Sequence, residues 1–278
     1  MKSTVQVKIF YLGVRVVEIL PRPITIIIAK ILAIIGYPLS KNTRNVTRKN
    51  LMYCNQTEFS YNTIKTISNY TICLADKLRI PTLDFNTLQG IVETVHIENL
   101  DKTLAYNRGA VLITGHIGNW DLGGVFLASL GYPLTAVVEE IPGLSDFYNF
   151  LRTSTGMETV FMRERGKMSG ALNNNRMLVL LGDRDLTGRG VKVKFLSGEK
   201  LLPRGPAAFA IKHNAPIVFA FFVLNDNKRK PYRIEISEPV FPENRTFEEL
   251  TQVVADKLSE YINKYPTQWF VFKDEWLN

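Results

Sequence analysis

Ala110-Val111-Leu112-Ile113-Thr114-Gly115-His116-Ile117-Gly118-Asn119-Trp120-Asp121-Leu122-Gly123-Gly124 is the stretch on which the reading of this chain turns. The apolar run Ala110 to Ile113 reads as a buried strand. Trp120 to Leu130 reads as a helix, closed by Gly131 and Pro133. One histidine and one aspartate, five positions apart, therefore stand where a strand gives way to a helix. A side chain there is rigidly held and still reaches a ligand.

Outward from this stretch the pattern repeats. Leu134–Val138, Thr159–Met162, Met177–Leu181, Val191–Phe195 and Ile217–Val223 read as strands, and Tyr232–Ser237 as an edge strand. Helices are expected over Asn62–Leu78, Leu144–Ser154, Met168–Asn173 and Phe247–Lys264, with another opened by Pro206 and ended at Asn214-Ala215-Pro216. Alternation of this kind implies an α/β fold with a mostly parallel central sheet covered by helices. Ligands of such sheets bind beyond the carboxyl ends of the strands, where His116, Asp183 and Asp185 fall.

The chain has 278 residues and a net charge of +8, which favours an anionic partner. No zinc-finger pattern, helix-turn-helix signature or aromatic-interleaved basic run is visible, so no nucleic-acid partner is expected. Two unpatterned cysteines, Cys54 and Cys73, read as reduced structural thiols. Three dispersed histidines, His96, His116 and His213, give no metal-ligand spacing, and no metal is expected. Neither a dinucleotide fingerprint nor a P-loop occurs.

Residues 9–39 are unusually apolar, but Arg15, Glu18, Pro21, Arg22, Pro23 and Lys30 interrupt them. No uninterrupted run reaches the ~20 residues of a transmembrane helix. A signal peptide is disfavoured, because the apolar run comes late and no small-residue cleavage pattern follows. Two helices broken at Pro21-Arg22-Pro23 are expected. They suit a membrane interface, with Lys8, Lys41, Arg44, Arg48 and Lys49 near headgroups, or a hairpin packed on the protein's own core. Residues 1–40 are accordingly read as apolar membrane-associating helices and residues 41–278 as a single α/β domain.

On one continuous helix, residues five apart point about 140° away from each other. His116 and Asp121 meet only if His116 lies in the loop and Asn119 caps a helix whose first turn holds Asp121. A histidine so held can act as a general base, with the aspartate fixing its tautomer. No serine or cysteine nucleophile stands in the motif. The corresponding reaction is direct attack of a substrate hydroxyl on an acyl carbonyl, with backbone N–H groups at the helix start facing the oxyanion. The same residues also fit a polar turn whose histidine only bonds a neighbour.

Gly115-His116-Ile117-Gly118-Asn119-Trp120-Asp121 resembles the His-x4-Asp/Glu motif of the bacterial lipid A biosynthesis (lysophospholipid-type) acyltransferases. Leu181-Gly182-Asp183-Arg184-Asp185, with Gly188, Val191 and Phe195, resembles that family's second acidic motif. Gln268-Trp269-Phe270 resembles its C-terminal signature, and Arg44-Asn45-Val46-Thr47-Arg48-Lys49-Asn50-Leu51 its early basic-Asn-Leu element. The resemblance implies an O-acyltransferase at the cytoplasmic face of the bacterial plasma membrane, peripheral or monotopic. It implies transfer of a fatty acyl chain from acyl-CoA or acyl-carrier protein to a hydroxyl of a membrane glycolipid, with no cofactor beyond that donor. His116 carries over as base and Asp121 as its orienting acid. Asp183 carries over as a catalytic acid positioning His116 or the acceptor, and Asn119, Arg163, Arg184 and Asp185 as substrate contacts. Arg165 competes with Arg163, and surface charge or ion pairing also accounts for these residues. Aspartate at position 121 and the Gly-Asp-Arg-Asp-Leu sequence resemble the phosphatidylinositol mannoside acyltransferase branch. A lipid A-type acceptor is the alternative.

Two other functions use the same residues. A thioesterase would direct the base at water, and an anionic-membrane binding module would need no base. Lys192, Lys194, Lys200 and Arg204, flanking the second motif, would meet phosphates or water. Trp269, Phe270, Phe272 and Trp276 read as core or membrane-interface packing.

Overall fold

The computed structural model describes residues 2–54, 56–139 and 157–277. Four helices open it: α1 (Lys2–Ile19), α2 (Arg22–Leu39), α3 (Lys41–Tyr53) and α4 (Phe59–Leu78). After α5 (Phe85–Gly90) the chain enters β1 (Val92–Val95), α6 (Glu98–Leu104), β2 (Ala110–Thr114), α7 (Trp120–Ser129) and β3 (Leu134–Val138). Then come β4 (Glu158–Phe161), α8 (Arg165–Asn173), β5 (Met177–Leu181), β6 (Val191–Phe195), β7 (Gly198–Leu202) and α9 (Gly205–His213). β8 (Ile217–Leu224), β9 (Tyr232–Ile236) and α10 (Phe247–Lys264) complete it. The helix expected over 144–154 lies outside the described residues.

The strands form a seven-stranded sheet ordered β1-β9-β8-β2-β5-β3-β4, plus the separate β6–β7 hairpin. Within the large sheet only the β8–β9 ladder is antiparallel. The fold is therefore α/β with a mostly parallel sheet. Every residue of β2 is buried, as a central parallel strand covered on both faces must be. Its side chains alternate between two cores: Val111 and Ile113 face the layer holding α9 and α10, and Ala110 and Leu112 the layer holding α7.

Three expectations need correction. Tyr232–Ile236 is not at the sheet edge, because β1 pairs outside it. Its polar side chains, Arg233 and Glu235, look solvated in sequence but bond to each other, and to Glu93, Lys264 and Tyr265. His96, which stands between Val95 and Ile97 and reads in sequence as a strand residue, follows β1 rather than continuing it, at φ 57°. On α4 the sequence spaces Ile64, Ile67, Tyr70, Thr71 and Leu74 as one stripe, but the buried positions include Thr63, Thr66, Cys73 and Asp76, while Ile64 is exposed.

The N-terminal helices break at Pro21, as the sequence predicts. α2 packs along α4. Its first residue, Arg22, forks onto Asp76 through Nε (3.0 Å) and Nη2 (2.9 Å), and Nε also donates to the Tyr232 hydroxyl at 3.1 Å. The face of the pair opposite buried Val14, Val17, Ala29 and Ala33 is open: Leu12, Ile19, Ile27, Ile31, Ile34, Ile35 and Leu39 are each at least half exposed. α2 is long and apolar enough, by length and composition, to cross a membrane, and only 17% of it is buried. At 1.5 Å per residue, its 18 residues span about 27 Å, close to the ~30 Å of a hydrocarbon core. Both cysteines are buried free thiols, and burial pushes that of Cys54 up to about 12.

The loop after β2 is clamped from two sides. Gly118 N–H donates to Gln268 O at 2.8 Å, Asn119 N–H to Phe222 O at 2.8 Å, and Phe270 N–H to His116 O at 2.7 Å. Gly118 sits at φ 61°, and a Cβ there would lie 2.1 Å from Phe222 O. Only glycine fits that approach. Gly118→Ala is expected to destabilise the protein by about 3 kcal/mol or more, combining left-handed strain with a backbone clash. Urea denaturation checks this, and an unchanged midpoint would contradict it.

Candidate active site

β2 and β5 run side by side in register, Thr114 opposite Leu181. The residues just beyond their carboxyl ends therefore face each other across one strand spacing. Gly182 N–H bonds to Thr114 O at 2.8 Å, and the next residue, Asp183, turns under the His116 loop. His116 Nδ1 lies 2.8 Å from Asp183 Oδ1. The His116 backbone N–H donates to Asp183 Oδ2 at 2.9 Å, and Trp269 Nε1–H donates to the same oxygen at 2.9 Å. Asp183 is fully buried. Burial alone would raise its pKa. The His116 ring, the Lys200 ammonium and the His116 N–H outweigh it and hold the carboxyl well below the usual carboxylate range.

This geometry revises the expected pair. The carboxylate on the ring nitrogen is Asp183, not Asp121. Asp121 is 5% exposed, in the first turn of α7, and forms an ion pair with Lys77 of α4. The local reading favoured the acid five positions away, whereas the partner comes from another strand end 67 positions away. Asp121 instead braces the helix that follows the histidine. With Nδ1 on Asp183, Nε2 is the nitrogen left for a substrate, and it makes no hydrogen bond among the described residues. The ring lies edge-on to Trp120, centroids 5.1 Å apart.

Asn119 caps α7 as expected, its Oδ1 accepting from Leu122 N–H at 3.3 Å. Its Nδ2 donates to Cys73 O at 3.0 Å. Both ends of this buried amide are used internally, so its place is structural rather than at substrate. Arg184 forks onto Glu275 (3.0 and 2.8 Å), and Asp185 accepts from Thr187 and Gly190 within its own loop. These two residues of the second motif are thus held by the protein, which is the ion-pairing and loop-shaping alternative. Arg163 sits over the Phe161 ring, 5.0 Å from its centroid.

Several residues that shape the site were not singled out as such. Gln268 returns two hydrogen bonds to Leu224 at the end of β8, fixing the C-terminal segment beside the histidine loop. Asn50 ties that segment to α3, through Val271 O (2.8 Å) and Trp276 Nε1–H (2.7 Å). Lys200 is not solvated at all but 1% exposed. It occupies an inward position of β7, alternating with buried Leu202, and a lysine at that position hides the strand in the sequence. Between α7 and the sheet, beside Trp120, lies an apolar cavity lined by Leu112, Thr114, Gly123, Leu127 and Phe222. No group of three or more potential metal-ligating side chains occurs among the described residues.

The depressed Asp183 carboxyl links the site to folding. Its folded pKa lies below the ordinary value of 3.8. Its contribution to stability is therefore complete above that value and is lost as pH falls through the folded one. Asp183→Asn is expected to cost stability at about pH 7, on the order of 3 kcal/mol, with the gap to wild type narrowing only below about pH 4. Denaturant melts of both proteins across that range check it, and a gap that does not change with acidification would contradict it.

Comparison with known proteins identifies the family of this chain. The profile of the bacterial lipid A biosynthesis acyltransferases matches residues 3–278. The phosphatidylinositol mannoside acyltransferase of Mycolicibacterium smegmatis is 28% identical over 221 residues, covering 76% of this chain and 71% of that protein. The protein of the same name from Mycobacterium tuberculosis is 28% identical over 223 residues, covering 76% and 69%. Among solved structures, the 1-acyl-sn-glycerophosphate acyltransferase PlsC of Thermotoga maritima aligns over 90% of this chain and 100% of that one, with a TM-score of 0.43 and 14% identity. With the family profile spanning nearly its whole length, the chain belongs to the bacterial lipid A biosynthesis acyltransferase family.

Proposed function

We propose that this acyltransferase moves a fatty acyl chain from a thioester donor, acyl-CoA or acyl-carrier protein, to a hydroxyl of a membrane glycolipid. His116 is the general base and Asp183 the carboxylate that orients it. The observation that carries this reading is the His116 Nδ1–Asp183 Oδ1 contact of 2.8 Å at the carboxyl end of the sheet.

In this reading the acceptor O–H gives its proton to His116 Nε2 as its oxygen attacks the thioester carbonyl. Asp183 stabilises the imidazolium that forms. The backbone N–H of Trp120, at the start of α7, faces the developing oxyanion. Collapse breaks the C–S bond, and the imidazolium returns the proton to the leaving thiolate. The products are an ester and a free thiol. The small apolar cavity beside Trp120 marks the side from which the acyl chain approaches the base. Asp121 acts through Lys77, by holding α7 in place.

The names of the relatives support one acceptor class. Both M. smegmatis and M. tuberculosis proteins bear the name phosphatidylinositol mannoside acyltransferase, which supports an inositol-phosphate glycolipid acceptor. A lipid A-type acceptor is the other member of the same chemical class. The exposed apolar surface of α1 and α2 supports seating at the cytoplasmic face of the plasma membrane, residues 1–40 docking the domain that follows.

The test is acyl transfer from labelled acyl-CoA and acyl-carrier protein to each glycolipid acceptor. Wild type should form the ester. His116→Ala and Asp183→Asn should lower the rate by roughly 10²–10⁴-fold, and Asp121→Asn by less than Asp183→Asn. Free fatty acid release that never depends on acceptor would replace this reading with a hydrolase.

A further inference from the structure

Lys200 is the most deeply buried lysine among the described residues, 1% exposed, at the inward position of β7 opposite Val193. An ammonium there is costly unless the protein surrounds it with compensating groups. It does so on every side. Nζ donates to Asp183 O at 3.1 Å and lies 3.5 Å from Glu275 Oε2. It also sits over three rings, 5.4 Å from the centroid of Phe195, 5.2 Å from Trp269 and 5.5 Å from Trp276. One of those rings, Trp269, also donates to Asp183 Oδ2. The cage that holds the lysine and the bonds that hold the carboxylate are thus one structure.

The charges in this cluster balance in a specific way. Asp183 and Glu275 are the anions, and Lys200 and Arg184 the fixed cations. Asp274, the next carboxylate along the C-terminal segment, is paired outward with Lys49. Within these four groups the charges cancel without a proton on His116; Glu139 also acts on Arg184. A lone buried Asp183 would instead attract a proton to itself or to the ring beside it. A base must start unprotonated, and this arrangement lets it do so while its partner stays ionised.

We propose that Lys200 is a positioning residue for the His116–Asp183 pair: its caged ammonium keeps Asp183 ionised while the imidazole is neutral, and so sets the pH at which the pair becomes an active base. The inference rests on the base role given to His116 above. Burial lowers the lysine's own pKa, while Asp183 and Glu275 oppose that and favour the charged form. Arginine would retain the charge, and methionine would fill the cage without it.

The experiment follows the His116 ring by NMR titration, together with the acid limb of the rate–pH profile, in wild type, Lys200→Met, Lys200→Arg and Glu275→Gln. Removing the cation favours the protonated pair, so Lys200→Met should move the midpoint up by on the order of one pH unit. Lys200→Arg should bring it back toward wild type. Glu275→Gln removes an anion from the same cluster and should move the midpoint down, which keeps the test decisive if Lys200→Met does not fold. A role confined to packing would lower stability or rate and leave every midpoint in place, and that result would overturn the proposal. The ring titration is independent of turnover, so failure of the acyltransfer assay alone leaves this result readable and counts against the proposed reaction instead.

Discussion

The structure of the active-site end depends on one buried carboxylate. Asp183 reaches back from the end of β5 and is bonded by the ring and backbone of His116 and by the Trp269 indole. Lys200 meets its backbone oxygen. These partners come from three separate segments: the loop after β2, the β6–β7 hairpin and the C-terminal stretch. A fully buried anion is tolerated only when such partners arrive together. The same requirement that makes it costly makes the arrangement specific, because each segment has one position at which the carboxylate is satisfied.

A second set of contacts carries that order outward to the apolar helices. On one face of α4, Cys73 O accepts from Asn119, and Lys77 pairs with Asp121. Asp76, between them in sequence, receives the fork of Arg22 at the start of α2. α4 thus touches both the histidine-bearing turn and the hairpin whose exposed leucines and isoleucines face away from the core. Exposed apolar surface of this kind supports the membrane seating proposed above.

Much of this was legible from residue order. Parallel strands covered on both faces are near-continuous apolar runs, so Ala110–Ile113, Met177–Leu181 and Ile217–Val223 announced themselves, and Pro21 and Pro206 marked helix limits. β1 and β7 did not, because Val92-Glu93-Thr94-Val95 is short and half polar, and Gly198–Leu202 carries a lysine where an apolar residue is expected. The histidine and its loop were also legible, through glycine spacing and the asparagine cap. Its partner was legible only through the resemblance, which gave Asp183 as positioning His116 or the acceptor. Spacing within a motif reports only local neighbours, whereas the strand register that brings Asp183 to His116 is a property of the sheet. Asp121 was the nearer acid in sequence, and the fold gives it to Lys77.

The most direct measurement is the proton resonance of the His116 Nδ1–H in wild type, Asp183→Asn and Asp121→Asn. A hydrogen bond to a buried carboxylate moves that proton far downfield. The account requires the downfield signal in wild type, its retention in Asp121→Asn and its loss in Asp183→Asn. Loss in Asp121→Asn with retention in Asp183→Asn would show that the ring is held by the other acid, and the description of this site would then be wrong at its centre.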